Sequence, residues 1–499
     1  MSLKFVIITR KIRLFNNNSQ IGFSIYKSGD RIENQSGGNM KRGSIFELNG
    51  IPKFQEALPL ALQHVVAMIV GCVTPAIIVA GAVGGDGLSA KDRVILIQAS
   101  LVVSALSTLL QLFPIGKKKG FNLGSGLPMI MGVSFAYVPS MQAIAEGYGI
   151  STILGAQIVG GIVAIIMGLL VKKIRAFFPP LITGTVVFTI GLSLYPTAIN
   201  YMAGGTSNSD YGSWQNWLVS LVTLAIVIGL NHYGKGLFKL ASILIGLVCG
   251  YVLALCFGMV DFSALSNAGW FQLPQPFAFG VKFDISAIIP LAILFLVNSI
   301  QAMGDFSATT SGGMDRLPTD QELNGGIIGY GISNIVSACF GCPPTATYSQ
   351  NVGIVGSTKV VARKVFSLSA FILLIAGLIP KFSALLRTIP QCVLGGAVAS
   401  VFAGIAMTGI KLLVSEGMST RNTTVAGLSI AIGMGVSLSN GCLNQMTSTI
   451  YDGLGMTMGL ENFQSIINNT FASSPVVLAT IFAVILNLVL PKDPKPEAK

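Results

Sequence analysis

Two side-chain amides and a glycine stand together in Gln350-Asn351-Val352-Gly353, and the segment that holds them closes with Thr358-Lys359. Apolar spans lie on both sides of this segment, which is too short and too interrupted by proline and glycine to be an ordinary membrane span. Polar side chains and irregular backbone at membrane depth are costly unless they line a cavity. The pattern therefore predicts a site that binds a polar solute inside a bilayer.

A second interrupted segment occupies the corresponding place in the first half of the chain. Residues 124–139 combine proline and glycine with small polar residues, and residues 342–351 combine the pair Pro343-Pro344 with small polar residues. Paired broken segments in two halves are typical of a transporter's midplane site, although two Pro/Gly-rich loops that coincide by chance would give the same pattern. We expect each to be a short extended piece followed by a half-helix, whose free N–H groups would suit a polar or weakly anionic heterocycle.

Asp305 is the one carboxylate that the sequence places well inside a predicted span, at the end of the apolar run 293–304. Gln301 precedes it by four residues, so both side chains face the same side of one helix. An intramembrane carboxylate is a candidate for function, and this pair could bind substrate and relay a proton. The alternative is that Asp305 pairs with a backbone or hydroxyl donor near the interface.

His64 lies inside the first predicted span, where it is either a hydrogen-bonded structural residue or a polar group near the site. The sequence contains no HExxH, no GxSxG and no paired acids of a hydrolase. The CxxC spacing of Cys339 and Cys342 has no second pair or nearby histidine to complete a metal site. We therefore expect no catalytic residues, no bound metal and no cofactor.

Composition predicts an all-α polytopic membrane protein. Only 10% of the 499 residues are charged and 52% are hydrophobic, with a mean hydropathy of +0.73. A soluble chain would carry about 25% charged residues, and a membrane span needs about 20 apolar ones. The candidate spans are 57–82, 93–113, 124–139 (short), 150–171, 178–197, 214–233, 236–259, 286–305, 324–340, 344–357 (short), 363–380, 388–408, 424–441 and 474–490.

The net charge of +12 follows the topology and does not indicate a nucleic-acid partner. Basic residues such as Lys359, Arg363 and Lys364 gather in alternate connections, which is the positive-inside pattern. This places both termini in the cytoplasm. Residues 1–52 form a polar tail that we predict to be disordered, and residues 492–499 form a second cytoplasmic tail. With seven spans in each half, the second half inserts upside down relative to the first.

The signature Gln350-Asn351-x-Gly353 followed by Thr358-Lys359 resembles that of the nucleobase–ascorbate transporters, which include bacterial xanthine, urate and uracil permeases. Four further segments agree with the family in the right order, and the resemblance covers about residues 47–490. They are Leu62 to Met68, Gly132 to Val138, Ala302 to Asp305 and Ile389 to Ala397.

The resemblance implies fourteen spans in two inverted seven-span repeats, with short broken segments at spans three and ten. It implies a core domain from residues 53–175 and 285–382, which moves against a gate domain from residues 176–284 and 383–491. It also implies a homodimer in the cell membrane, with the bacterial inner membrane as the expected location.

The resemblance also implies roles for individual residues. Phe135 would stack on the base, and Ser349 and Gln350 would hydrogen-bond it, together with Ser134 and Gln301. Residues that would support the site or couple an ion are His64, Asp305, Tyr330, Asn351, Gly353 and Thr358.

One departure from the family concerns coupling. Many members carry Glu where Gln301 stands, and an acidic residue where Tyr330 stands. An amide can donate and accept hydrogen bonds but cannot take up a proton, so Asp305 is the carboxylate that remains for this purpose.

By family analogy, Gln350 favours xanthine or uric acid over uracil. We therefore expect a purine-base symporter coupled to H⁺. Open alternatives are a uracil or other nucleobase permease, sodium-coupled or uncoupled transport, a channel or anion conductance on the same fold, and a membrane-embedded enzyme.

Overall fold

The computed structural model describes residues 45–83, 88–116, 122–171, 179–206, 208–262, 265, 268–439, 441–454 and 460–491. Most of the predicted tail 1–52 and the whole of the predicted tail 492–499 lie outside these residues. Every structural statement below refers to the described part of the chain.

The regular secondary structure described in the first half of the chain consists of helices and one short strand. Its charge-free apolar runs form helices because each residue's N–H and C=O groups are then satisfied within the segment, as a bilayer requires. The elements are α1 (Phe54–Ala82), α2 (Ala90–Leu112), β1 (Met131–Val133), α3 (Val138–Tyr148), α4 (Ile150–Leu169), α5 (Pro180–Ser193), α6 (Tyr195–Met202), α7 (Trp214–Tyr233), α8 (Leu237–Leu240) and α9 (Ser242–Cys256).

The second half repeats this order of elements. Its strand again follows two long helices and precedes a short one. The elements are α10 (Ile285–Met314), α11 (Asp320–Cys339), β2 (Thr345–Thr347), α12 (Ser349–Thr358), α13 (Arg363–Leu378), α14 (Pro380–Arg387), α15 (Gln391–Ser415), α16 (Thr420–Leu438), α17 (Asn444–Leu454), α18 (Leu460–Ile467) and α19 (Pro475–Val489).

Seven of the described helices are long and apolar enough to cross a membrane, counting α5 and α6 as one and adding α1, α2, α4, α7, α10 and α15. Helices α13 and α14 would make a further span but are bent by 83° at their junction. The bend coincides with Pro380, which cannot continue the hydrogen-bond ladder of the preceding helix. The predicted span 363–380 therefore ends where its proline begins a new helix.

The two strands pair with each other across the halves of the chain. They run antiparallel, with Met131 opposite Thr347 and Val133 opposite Thr345. The ends of the ladder are closed by the N–H of Ser134, which donates to the Pro344 carbonyl, and by the N–H of Tyr348, which donates to the carbonyl of Ile130. The predicted extended piece followed by a helix is thus present in both halves.

Helix α10 is longer than the predicted span 286–305, which stops at Asp305. The helix continues to Met314. The sequence beyond Asp305 is rich in serine, threonine and glycine and is less apolar than the run 293–304. In the structure these side chains bond back to the helix: Ser307 donates to the carbonyl of Met303, and Thr310 donates to that of Phe306. Such bonds let small polar residues remain helical inside a bilayer.

Two other predicted spans are broken. The span 178–197 is α5 and α6 with a break at Leu194, where Pro196 follows at the start of α6. The span 236–259 begins with the single turn α8, and its long helix α9 starts at Ser242. In both places a short helix precedes or follows the main one, a detail that apolar composition does not encode.

The backbone near β1 is held by a close approach of helix α11. Gly124 has φ +103°, a conformation that L side chains rarely adopt. Its N–H donates to the carbonyl of Gly325, at 2.8 Å. A Cβ at Gly325 would lie 2.5 Å from the carbonyl oxygen of Gly124, so both positions need glycine. This contact fixes the start of the interrupted segment against the second half of the chain.

Candidate substrate-binding site

A cavity lies where the two strand-to-helix junctions meet. Its volume is about 70 Å³. The lining residues are Gly132, Val133, Ser134, Phe135, Ala136, Ile190, Gln301, Thr347, Tyr348, Ser349, Gln350 and Ile405. Both interrupted segments, helix α10 and two apolar side chains from α5 and α15 therefore contribute to it.

Two helical N-termini face this cavity. The 3₁₀ turn Phe135–Tyr137 follows β1, and α12 begins at Ser349 directly after β2. The first N–H groups of a helix have no partner within it, and the positive end of the helix dipole lies there. Ser134 Oγ accepts from the N–H of Ala136 at 3.2 Å, which caps the 3₁₀ turn. The arrangement favours an electron-rich or anionic group in the cavity.

The Phe135 ring forms an apolar wall of the cavity. The ring is buried, with 6% of the residue exposed, and packs edge-to-face against Phe402 of α15, at 5.1 Å between centroids. Phe402 was not among the predicted site residues. Nothing in the sequence marks one apolar position of a long apolar helix as the partner of Phe135.

Two amides in the cavity have no other partner. Neither the Gln301 side chain nor the Gln350 side chain hydrogen-bonds any other residue in the described part of the chain. Gln301 is half-buried and Gln350 is exposed. Each amide offers two N–H donors and a carbonyl acceptor. Together the two amides can hydrogen-bond a ring edge on which donors and acceptors alternate.

Asp305 lies behind the cavity and not in its wall. Its carboxylate accepts from Thr347 Oγ1 at 2.5 Å and from Ser349 Oγ at 2.8 Å. Pairing with hydroxyl donors is the alternative that the sequence left open. However, Asp305 sits in the interior of a 30-residue helix and is 8% exposed, so the pair is not at a helix end. Ser349 touches both the carboxylate and the cavity.

Asn351 and His64 form a contact between α12 and α1. The amide nitrogen of Asn351 lies 3.0 Å from His64 Nδ1 and donates to the carbonyl of His64 at 3.3 Å. Because Asn351 presents its N–H₂ group, His64 Nδ1 acts as an acceptor and the neutral ring carries its proton on Nε2. The His64 ring also packs on Phe366, at 4.5 Å between centroids. Both side chains support α12 from behind.

The remaining predicted residues lie outside the cavity. The Tyr330 hydroxyl is fully buried and hydrogen-bonds the hydroxyl of Tyr137, at the end of the 3₁₀ turn. Gly353 and Thr358 lie further along α12, and Thr358 Oγ1 donates to the carbonyl of Ile354. Lys359 follows in an ion pair with Asp315 at 3.0 Å.

The structure thus brings Ser134, Phe135, Gln301, Ser349 and Gln350 into one cavity wall. The wall also contains residues that the sequence did not single out: Ile190, Thr347, Tyr348 and Ile405. Tyr348 is placed by its hydroxyl, which donates to the carbonyl of Val133 at 2.7 Å. Its ring also fills the space that a side chain at Gly132 would need, since a Cβ there would lie 2.2 Å from the ring.

A family model described as "Permease family" matches residues 55–441. The chain belongs to this family, the nucleobase–ascorbate transporters. The chain is 31% identical over 464 residues to the xanthine permease XanQ of Escherichia coli, covering 90% of this chain and 94% of that protein. It is 35% identical over 399 residues to the uric acid permease PucJ of Bacillus subtilis, covering 78% of this chain and 87% of that protein.

The fold also has solved relatives. The chain matches the transmembrane domain of the cyanobacterial bicarbonate transporter BicA with a TM-score of 0.54 at 18% identity, covering 75% of this chain and 94% of that chain. This likeness concerns the fold alone. The chain has the 7+7 inverted-repeat fold, which confirms the predicted fold class. It is a multi-pass membrane permease and not an enzyme.

Proposed function

We propose that the protein takes up a purine base, xanthine or uric acid, by cation symport. The observation that carries this proposal is that Gln301, Gln350 and the Phe135 ring line one cavity. Neither amide has another partner among the described residues, and two helix N-termini face the same cavity. The names of the relatives, a xanthine permease and a uric acid permease, agree with it.

The chemistry of an oxopurine matches this wall. Its edges alternate ring N–H donors with carbonyl acceptors, which is the pattern that side-chain amides can pair with in two-point contacts. Its flat face would lie on Phe135, where aromatic stacking contributes about 0.5–1.5 kcal/mol beyond burial. The electron-rich carbonyls, or the charge of a deprotonated base, would be stabilised by the N-terminus of α12.

Ser349 provides a physical route for coupling. Its hydroxyl now donates to Asp305, and it also lines the cavity. A proton on Asp305 would remove one acceptor and free the Ser349 hydroxyl to donate to a base. Binding of the base and protonation of Asp305 would then favour each other, which is the linkage that symport requires.

Sodium is the alternative coupling ion. The Asp305 carboxylate with the hydroxyls of Thr347 and Ser349 forms a set of oxygen ligands of the kind that hard cations prefer. One helical turn beyond Asp305, the buried Thr309 hydroxyl has no hydrogen-bond partner among the described residues. Uptake measured with the proton gradient collapsed, and separately without sodium, distinguishes the two ions from uncoupled transport.

The proposal extends to the movement of the protein and its surroundings. The polar wall comes from the predicted core ranges, whereas Ile190 and Ile405 come from the predicted gate ranges. We propose that the core moves against the gate in a homodimer in the bacterial cell membrane, with both termini in the cytoplasm. The basic residues Arg316, Lys359 and Arg363, clustered beyond the ends of α10 and α12, support this orientation.

The test is uptake of radiolabelled xanthine and uric acid in cells that lack their own purine permeases, with a panel of unlabelled bases as competitors. The proposal expects saturable uptake that oxopurines compete for and that uracil competes for weakly. If uracil competes better than every purine, the substrate is a pyrimidine base and not a purine. Currents that do not saturate with base would indicate a conductance instead.

A further inference from the structure

A second, smaller cavity adjoins the substrate-binding site. Its volume is about 10 Å³, which is room for a group about the size of one water molecule. Its lining residues are Thr183, Val186 and Val187 from α5, and Val297, Ile300 and Gln301 from α10. Gln301 lines both cavities, and Ile190, the next turn of α5, lines the first. The Gln301 side chain is therefore the boundary between the substrate-binding site and this second chamber.

The second chamber is apolar. Four of its six residues are aliphatic, and all four of these are buried, with between 3% and 6% of their surface exposed. The hydroxyl of Thr183 donates to the carbonyl of Pro179 in its own helix, at 3.4 Å. Apart from Gln301 at the boundary, the lining leaves no side-chain donor for a carbonyl, and the Thr183 hydroxyl oxygen is the one side-chain acceptor for a ring N–H. The carbonyls of a base placed here would lose their hydrogen bonds, whereas an alkyl group would lose none.

We infer that this chamber is a subsite for a small alkyl substituent, and that the substrates of the protein include N-methylated oxopurines; this rests on the proposed function. A methyl group on a ring nitrogen removes one N–H donor and adds a small apolar volume. If the methylated nitrogen points towards the chamber beyond Gln301, the methyl group enters the chamber. The other edges of the base then keep their contacts with Gln350 and the helix N-termini. An unsubstituted base leaves the chamber empty, and apolar chambers tolerate this because water does not enter them readily.

The proposed subsite should distinguish methylated isomers by the ring nitrogen that carries the methyl group. One added methylene that fits an apolar pocket changes binding by about 10- to 200-fold. A methyl group that points at Phe135 or at an amide instead meets a packed wall or blocks a hydrogen bond. The inference therefore requires that one isomer binds about as well as the parent base or better, and that others bind at least about tenfold more weakly.

The experiment is competition by the 1-, 3-, 7- and 9-methyl isomers of xanthine against uptake of radiolabelled xanthine in cells without their own purine permeases. We expect one isomer to inhibit with a Ki at or below the Ki of unlabelled xanthine. If xanthine is taken up and all four isomers inhibit more than about tenfold more weakly, the subsite is wrong and the proposed function stands. If no oxopurine is taken up or competes, the proposed function itself fails.

Filling the chamber provides the second arm of the experiment. Val187→Phe should raise the ratio of the Ki of the favoured isomer to that of xanthine by about tenfold. Val252→Phe is the matched control, because Val252 is 53% exposed on α9 and should leave the ratio unchanged. If Val187→Phe does not reach the membrane, Val187→Ile adds a single methylene and should move the ratio in the same direction. If the ratio of the two Ki values stays constant when the chamber is filled, the chamber is only a packing gap between α5 and α10. That result would overturn the inference.

Discussion

The Ser349 hydroxyl donates to the Asp305 carboxylate at 2.8 Å, and Ser349 is also part of the cavity wall. A carboxylate on a long helix is thus joined to the substrate-binding site through one side chain. In a bilayer such a buried carboxylate must be paired or neutralised. The two hydroxyls that it accepts from both belong to the interrupted segment of the second half.

Replacing Asp305 tests its role in coupling. Asp305→Asn keeps the shape and one acceptor oxygen but cannot bind a proton, so accumulation of xanthine against a gradient should be abolished while exchange across the membrane continues. Asp315→Asn is the control, since the Asp315 side chain is 83% exposed in its ion pair with Lys359. If Asp305→Asn still accumulates xanthine to the wild-type level, Asp305 is not the coupling group.

Placing a carboxyl group at position 301 should add a pH dependence. Gln301→Glu introduces a group that is an acceptor only when ionised and can donate only when protonated. We expect the KM for xanthine of this variant to rise as the pH increases through the titration of the introduced carboxyl group. The rise should be about tenfold or more, because the lost donor is worth about 1–3 kcal/mol. KM measured from pH 5 to pH 8 in both proteins checks this, and parallel profiles would contradict it.

Removing the hydroxyl of Tyr330 should affect stability more than transport. Tyr330→Phe removes the hydrogen bond between the buried hydroxyls of Tyr330 and Tyr137, at a cost of about 0.5–1.5 kcal/mol. We expect a lower Tm for the purified protein, with accumulation of xanthine retained. Loss of accumulation at an unchanged Tm would instead assign Tyr330 a role in ion coupling.

Gly132 should tolerate no side chain. A Cβ at this position would lie 2.2 Å from the Tyr348 ring and 2.7 Å from the sulfur of Cys72, so Gly132→Ala should disrupt the strand pair and abolish uptake. Gly229→Ala is the matched control, because a Cβ there meets no atom within 4 Å and alanine favours a helix. Both variants are compared by membrane expression and xanthine uptake. Normal uptake by Gly132→Ala would show that the strands are not packed as described.

The sequence was sufficient to predict the interrupted segments. Pro128 before β1 and the pair Pro343-Pro344 before β2 interrupt apolar runs, and a residue before proline is extended. The amides of Gln301 and Gln350 were also evident, because polar side chains are rare in charge-free spans. The structure places both in one cavity wall.

Other features need three-dimensional information. Helix α10 continues beyond Asp305, where serine and threonine side chains bond to carbonyls of the preceding turn, whereas the span predicted from apolar residues stopped at the carboxylate. Phe402 and Ile405 are two apolar residues among many on α15, and only the packing of α15 against the 3₁₀ turn brings them to the cavity. Local sequence carries no signal for contacts of this kind.

The central claim is that a purine base binds between Gln301 and Gln350. The most direct measurement is the Kd of the purified protein for xanthine, determined by calorimetry for the wild type, Gln301→Ala and Gln350→Ala, with the exposed Gln445→Ala as control. We predict that each of the first two changes weakens binding by about tenfold, because each removes a hydrogen bond in a desolvated site, and that the control leaves the Kd unchanged. A wild-type Kd in both cavity variants would contradict the account.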